Sequence, residues 1–168
     1  MRKCLNLGAG AFPFESTKEE EWINLDKSYF PGVDVLKDCS RGIPFNENTF
    51  DYVLLGDVIE HLTENEVEHT FMDLYRVCKH GALIEIRTPH YMHPSSWGDF
   101  THVQHLSEWT WEHMQAKTVI IPNEKQFIRW RFNIELIKIE NGRLTCVYKV
   151  HKKGEYHPTK VGFKKVKK

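Results

Sequence analysis

The sequence predicts an α/β fold on a mostly parallel sheet. Three observations predict it: short apolar runs recur through the first 90 residues, several end on a carboxylate or a glycine turn, and an amphipathic helical segment separates the fourth run from the fifth. Two alternating runs around Asn141-Gly142 then add an antiparallel hairpin, which brings the count to seven strands. With 168 residues, 40% of them hydrophobic, the chain fills one ordinary core, so residues 1–150 read as a single domain.

The first run, Cys4-Leu5-Asn6-Leu7, opens into Gly8-Ala9-Gly10. A glycine has no Cβ to hold a ligand off the backbone, so a buried strand breaking into two glycines suits a nucleotide-type cofactor. A tight turn that needs φ > 0 uses glycine equally well, and both readings stand here. In residues 11–21, Ser16 or Thr17 is placed to cap a short helix with the following glutamates in its first turn. Residues 22–26 form a second strand ending on Asp26, where a carboxylate can accept from both hydroxyls of a ribose. Residues 33–38 form a short third strand ending on Asp38, and residues 51–55 the fourth, followed by Gly56 and Asp57.

Thr63-Glu64-Asn65-Glu66 is a capping box, and Val67, Phe71, Leu74 and Cys78 share one face of the helix it starts, with Gly81 as its stop. Residues 82–86 are the fifth strand. Val53, Leu54, Leu83, Ile84 and Ile86 are assigned to the core. The segment 90–106 is polar and histidine-rich, follows a strand's carboxyl end and is expected to cover a site there; a helix is expected over 107–115. In the hairpin Trp130, Phe132, Ile134 and Leu136 alternate on one strand and Leu144, Cys146, Tyr148 and Val150 on the other. Parallel α/β sheets bind ligands beyond the carboxyl ends of their strands, the edge to which Gly8, Gly10, Asp26, Asp38, Gly56 and Asp57 are all assigned.

Composition excludes other classes. No run of about 18 apolar residues occurs, and Met1-Arg2-Lys3 leads straight into a strand, so the chain reads as soluble, unexported and cytoplasmic. Four cysteines stand singly with no CxxC, which argues for buried reduced thiols over disulfides or a zinc knuckle. The net charge is zero, but residues 151–168 carry seven Lys against one Glu, so a mildly acidic body bears a basic, solvated tail.

With these residues in place the chain resembles the class I S-adenosylmethionine-dependent methyltransferases, especially the small type 11 group, over roughly residues 3–150. Leu5-Asn6-Leu7-Gly8-Ala9-Gly10 is similar to the family's first motif and Asn24-Leu25-Asp26 to the acidic end of its second strand. Ile43-Pro44-Phe45, Phe50-Asp51-Tyr52-Val53, Val58-Ile59-Glu60-His61-Leu62 and the stretch from Tyr75 to Leu83 resemble its later segments. The resemblance implies a Rossmann-like sheet of order 3-2-1-4-5-7-6 with the last strand antiparallel. It implies S-adenosylmethionine as cofactor, bound by Leu7, Gly8, Ala9 and Gly10, with Gly8 and Gly10 against the methionine part and Asp26 on the ribose. Asp38 would take the adenine amino group beside the Cys39 backbone, and Gly56 and Asp57 would line the pocket near His61. No helix precedes the first strand, which leaves the 90–106 loop as the candidate lid.

Methyl transfer from a sulfonium needs alignment and exclusion of water, and no metal. A hydroxyl or protonated-amine acceptor also needs a base, for which His61, His90, His93 and His102 are candidates, with Asp99 as a partner that fixes a tautomer. A metal site built from His90 with His93, His102 with His105 and Asp99 is the disfavoured alternative. The leading expectation is transfer to a small-molecule or sugar-like acceptor. The rivals are an RNA or tRNA methyltransferase using the lysines from Lys152 to Lys168, and a non-catalytic S-adenosylmethionine-binding regulator. A nicotinamide dehydrogenase is disfavoured because Pro13 stands where its third glycine would be.

Overall fold

In the computed structural model, which describes residues 1–119 and 127–154, the strands are β1 (Arg2–Leu7), β2 (Glu20–Asp26), β3 (Val35–Leu36), β4 (Phe50–Gly56), β5 (Cys78–Pro89), β6 (Ala116–Val119), β7 (Phe127–Glu140) and β8 (Arg143–Val150). The helices are α1 (Glu64–Val77), α2 (Pro94–Gly98) and α3 (Glu108–His113). Strands pair in the order β3-β2-β1-β4-β5-β8-β7-β6. The five left-hand strands are parallel, and β8 runs antiparallel to both β5 and β7. The seven expected strands therefore hold their expected order, including the reversed one. An eighth strand, β6, lies outside them because β7 outruns β8: pairing with β8 starts at Phe132, and β6 takes the free stretch before it. Among the described residues no helix is long and apolar enough to cross a membrane.

The core sits between the sheet and α1. Thr63 and Glu66 close the expected capping box, and the helix buries Phe71, Leu74 and Val77. Phe71 meets the rings of Trp130, Phe132 and Tyr148 at centroid distances of 5.8, 5.9 and 6.3 Å, which joins the helix to the terminal hairpin. The four cysteines are free and buried. Val53, Leu54, Ile84 and Ile86 are buried as expected, and Leu83 only partly.

Four local expectations change. The helix expected after Ser16 or Thr17 does not form: the Thr17 hydroxyl accepts from the amides of Glu19 and Glu20, and the chain turns directly into β2. Two buried amides hold that connection extended. Asn6 and Asn24, opposite each other on β1 and β2, bond across the strands (3.1 Å), and Asn6 donates to the Phe12 carbonyl. Asn24 donates to the Phe14 carbonyl and accepts from its amide. The third strand shrinks to two residues because Asp34 closes its pairing with a side chain, accepting the Asn24 amide at 2.7 Å.

The helix stops at Val77, well before Gly81, because its last carbonyls are already taken. Asn48 and Lys152 donate to Arg76 O, and Thr49 donates to Val77 O. Cys78 is thereby the first residue of β5, and Gly81 (φ 84°) falls where the pairing with β4 slips. In β7 a register shift between Ile134 and Leu136 turns Leu136 outward and Ile137 toward the core.

One clamp ties α1 to the segment that follows the 3-10 turn Cys39–Arg41. Asp73 of α1 accepts the Ile43 amide (2.5 Å) and Arg76 Nε (2.8 Å), and Arg76 donates to the carbonyls of Phe45 and Ile43. Burial pulls the Asp73 carboxyl up, but Arg76 and the Ile43 amide outweigh it and hold the group below its ordinary value. Its contribution is therefore complete above the unfolded carboxyl pKa of about 3.9 and is lost as pH falls through the lower folded value. Asp73→Asn is expected to cost about 1–3 kcal/mol at pH 7. In urea titrations between pH 2 and 7 the wild type should lose part of its margin over the variant below pH ~4.

Candidate functional site

A cleft of about 440 Å3 opens beyond the carboxyl ends of β1 and β2 and beside the turn that follows β4. Its floor is the backbone of Gly8, at φ 78°, whose amide donates to the Leu25 carbonyl (2.8 Å). A Cβ at Gly8 would stand 2.3 Å from Val58 Cγ2, so both the conformation and the packing exclude a side chain there. Asp26 ends β2 at the cleft wall. One of its oxygens accepts the Gly10 amide (2.8 Å) and the other the Ser28 amide (2.7 Å), which fixes the carboxylate and the glycine loop against each other.

Asp38 caps the 3-10 turn Cys39–Arg41, accepting the Ser40 amide and hydroxyl at 3.0 and 2.8 Å. Burial pulls its carboxyl up, but Ser40 and the Arg41 charge outweigh that and keep it below the ordinary value. The Cys39 thiol lines the same wall; burial first, and Asp38 next, push it up to about 11, so it stays a thiol and offers no nucleophile at neutral pH. Asp57, at φ 55°, follows β4 and lines the cleft, with both carboxylate oxygens 2.6 Å from Arg143 Nη2.

The structure thus brings Gly8, Asp26, Asp38, Cys39, Asp57 and His61 to one cleft. It does not bring Leu7, Ala9, Gly10 or Gly56 to its lining. Leu7 and Ala9 are buried behind it, and the Ala9 and Gly10 amides are spent on Leu25 O and Asp26. Gly56 ends β4 one residue short of the cleft.

The histidines separate sharply. His61, in the 3-10 turn Ile59–His61, lies on the cleft wall, where its Nδ1 is 3.0 Å from the Thr101 hydroxyl and 3.3 Å from the Thr101 carbonyl. That hydroxyl donates to Asp99 (2.7 Å), so it must accept from His61, which assigns the proton to Nδ1 and leaves Nε2 with a lone pair. The two hydrogen bonds from Thr101 lower the Asp99 carboxyl below its ordinary value. Asp99 is linked to His61 through Thr101 as intermediary. His102 is nearly buried, donates from Nδ1 to the Ser96 carbonyl (3.1 Å) and packs edge-on against His61 with ring centroids 4.7 Å apart.

His90 is held away from the cleft: it is buried, with Nε2 on Glu108 (3.0 Å), and it serves as a tie between β5 and α3. His93 caps α2, and His105 bonds Ser96 and stacks on Trp97. The pairs His90 with His93 and His102 with His105 therefore do not converge on a common point with Asp99.

Residues 17–86 match the family model described as "Methyltransferase domain". Among solved structures, a SAM dependent methyltransferase from Aquifex aeolicus is 15% identical with a TM-score of 0.56, over 89% of this chain and 82% of that one. Haemonchus contortus phosphoethanolamine N-methyltransferase 1, in complex with phosphoethanolamine and S-adenosylhomocysteine, is 13% identical with a TM-score of 0.65, over 95% of this chain and 41% of that one. A chain of the complex between the Haloferax volcanii Trm112 methyltransferase activator and a methyltransferase is 12% identical with a TM-score of 0.59, over 90% and 83%. The fold is that of the class I S-adenosylmethionine-dependent methyltransferases. The resemblance read from the motifs stands at the level of the fold. No curated protein sequence matches the chain.

Within this methyltransferase fold the sequence reading missed three participants. Glu60 lies in the segment Val58-Ile59-Glu60-His61-Leu62 and is buried beside His61. Thr101 carries the link from Asp99 to His61. Arg143 reaches Asp57 from the hairpin turn, a contact between residues 86 apart that no local pattern signals.

Gly8→Ala is expected to destabilise the fold by about 1–3 kcal/mol, from the positive φ and the overlap with Val58. Chemical denaturation of Gly8→Ala with Val58→Ala should show the overlap part recovered and the backbone part retained. Additive losses in the double variant would contradict the packing argument.

Proposed function

We propose that the chain transfers a methyl group from S-adenosylmethionine to a small-molecule or sugar-like acceptor. The observation that carries this is the convergence of Asp26 and Asp38 on one cleft with the bare backbone of Gly8. Each Asp26 oxygen accepts one backbone amide and keeps a further lone pair, which suits a ribose diol. Asp38, fixed by Ser40 and held ionised, suits the adenine amino group, with Leu25, Val58 and Leu62 as the apolar surface for the ring. When bound, the cofactor supplies a methyl group already activated on a sulfonium; the chain's task is to align the acceptor and keep water out.

On the acceptor side, His61 presents the lone pair of Nε2 at the cleft wall, held in place by Thr101 and Asp99. That lone pair can take a proton from a hydroxyl or amine acceptor. Use of the lysine tail for RNA falls largely on residues 155–168, outside the described residues.

Calorimetry with S-adenosylhomocysteine should show Asp26→Ala weakening binding by about 1–3 kcal/mol, from unpaired ribose hydroxyls and a released Gly10 amide. Unchanged affinity in a folded variant would remove Asp26 from the site. Labelled methyl transfer by the full chain should reach hydroxyl- or amine-bearing small molecules. Salt-sensitive labelling of tRNA alone would favour the nucleic-acid reading, and cofactor binding with no transfer to any acceptor would favour a regulatory one.

A further inference from the structure

We propose that Glu60, His61 and His102 form a binding site for a divalent first-row transition cation at the wall of the cleft. One carboxylate oxygen of Glu60 and one ring nitrogen of each histidine all lie within 4.8 Å of one another, close enough for a single ion to be shared among them. The set, two imidazoles and a carboxylate, matches the donors preferred by Mn2+, Fe2+, Co2+ or Zn2+ over the all-oxygen shells of Mg2+ and Ca2+.

Hydrogen bonding prepares the two rings for that role. Nδ1 of His102 faces a carbonyl and Nδ1 of His61 faces a carbonyl together with a hydroxyl already committed as a donor, so both nitrogens carry protons. In the neutral rings that leaves the lone pairs on the Nε2 atoms. An oxygen acceptor behind the remote nitrogen is what orients metal-binding histidines generally. Asp99, which orients His61 through Thr101, also lies 3.9 Å from His102 Nε2, where it is too long for a hydrogen bond but adds negative charge beside the site.

Glu60 is the independent observation. It is 1% exposed, and neither carboxylate oxygen closes a hydrogen bond of good geometry, with the Thr88 hydroxyl and the Asp57 carboxyl as its polar neighbours. A buried carboxylate left unpaired is costly, and a cation is the group that would offset it. The backbone delivers the third ligand deliberately: Glu60 O accepts the amides of both Val103 and Gln104 (2.8 and 3.0 Å), which docks His102 against a turn 41 residues earlier in the chain.

Three protein ligands leave coordination positions free, and His61 lines the cleft, so a bound cation would hold an oxygen of a hydroxyl-bearing acceptor. This second step rests on the methyl-transfer reading; the cation site does not.

The test is titration of the full chain with Co2+, followed by the visible absorption of the ion. One equivalent should bind, with Glu60→Gln and His102→Asn each weakening binding at least tenfold. Co2+ should also raise the thermal midpoint of the wild type and not that of Glu60→Gln, while Glu60→Gln alone should melt no lower than the cation-free wild type. Absence of stoichiometric Co2+ binding to the folded wild type, or equal binding by the variants, would overturn the site; His61→Asn replaces any variant that does not fold. S-adenosylhomocysteine binding is measured on the same samples. Its presence without Co2+ binding sinks only the cation site, and Co2+ binding without it sinks only the methyltransferase reading.

Discussion

The position of every group at the cleft depends on the register of β1 between its two parallel neighbours. Leu7 is paired with Leu25 on one side and Leu55 on the other, so the three strands end within one residue of one another. The next residue of each, Gly8, Asp26 and Gly56, therefore stands at the same height, and the turns that follow open into one space. The register is protected by polarity within a buried strand: Cys4, Leu5, Asn6 and Leu7 are all buried, and a one-residue slip would turn Asn6 to the opposite face and break the Asn6–Asn24 pair.

That same pair explains how the fold dispenses with a helix after its first strand. A parallel crossover ordinarily covers the sheet with a helix, which satisfies its own backbone. Here the connection from β1 to β2 runs extended, and two buried asparagine amides satisfy the backbone groups that the missing helix would have paired internally. Stacking of Phe14 on Trp22, with centroids 4.5 Å apart, supplies the apolar cover. On the other side of β1 the Asp73–Arg76 clamp does comparable work, binding the Ile43-Pro44-Phe45 segment to α1 and so fixing the turn that carries Asp38 and Cys39.

What the sequence reveals and what it conceals follow from the range of the interactions involved. Gly8, Asp26 and Asp38 are legible because strand ends in a parallel sheet share an edge, and position along the strand is a local property. The hairpin is legible for the same reason, from alternation on both sides of Asn141-Gly142, whereas the strand order follows from the resemblance to the family. The absent helix is not, because acidic residues after a capping threonine are a local signal overridden by two asparagines in different strands. Leu136 leaves the expected alternation because a strict period of two does not foresee a bulge. The histidines mislead most, since HxxH spacing implies a shared helical or loop face that the 90–106 segment does not have.

That segment is placed by its two ends. At one end β5 passes into His90, whose amide donates to Gly142 in the hairpin turn, and the ring of His93 packs where any side chain at residue 142 would have to be. The same turn sends Arg143 to Asp57 at the cleft. At the other end the Val103 and Gln104 amides are fixed to Glu60 O. Between these anchors the chain is free to bulge outward, and Trp97 and Phe100 are exposed there, Phe100 almost completely. Each histidine therefore faces whatever its anchor brings near it: His90 the start of α3, His93 the hairpin, His102 the turn that carries Glu60 and His61. Backbone hydrogen bonds between distant turns, and not spacing along the segment, decide which two imidazoles meet.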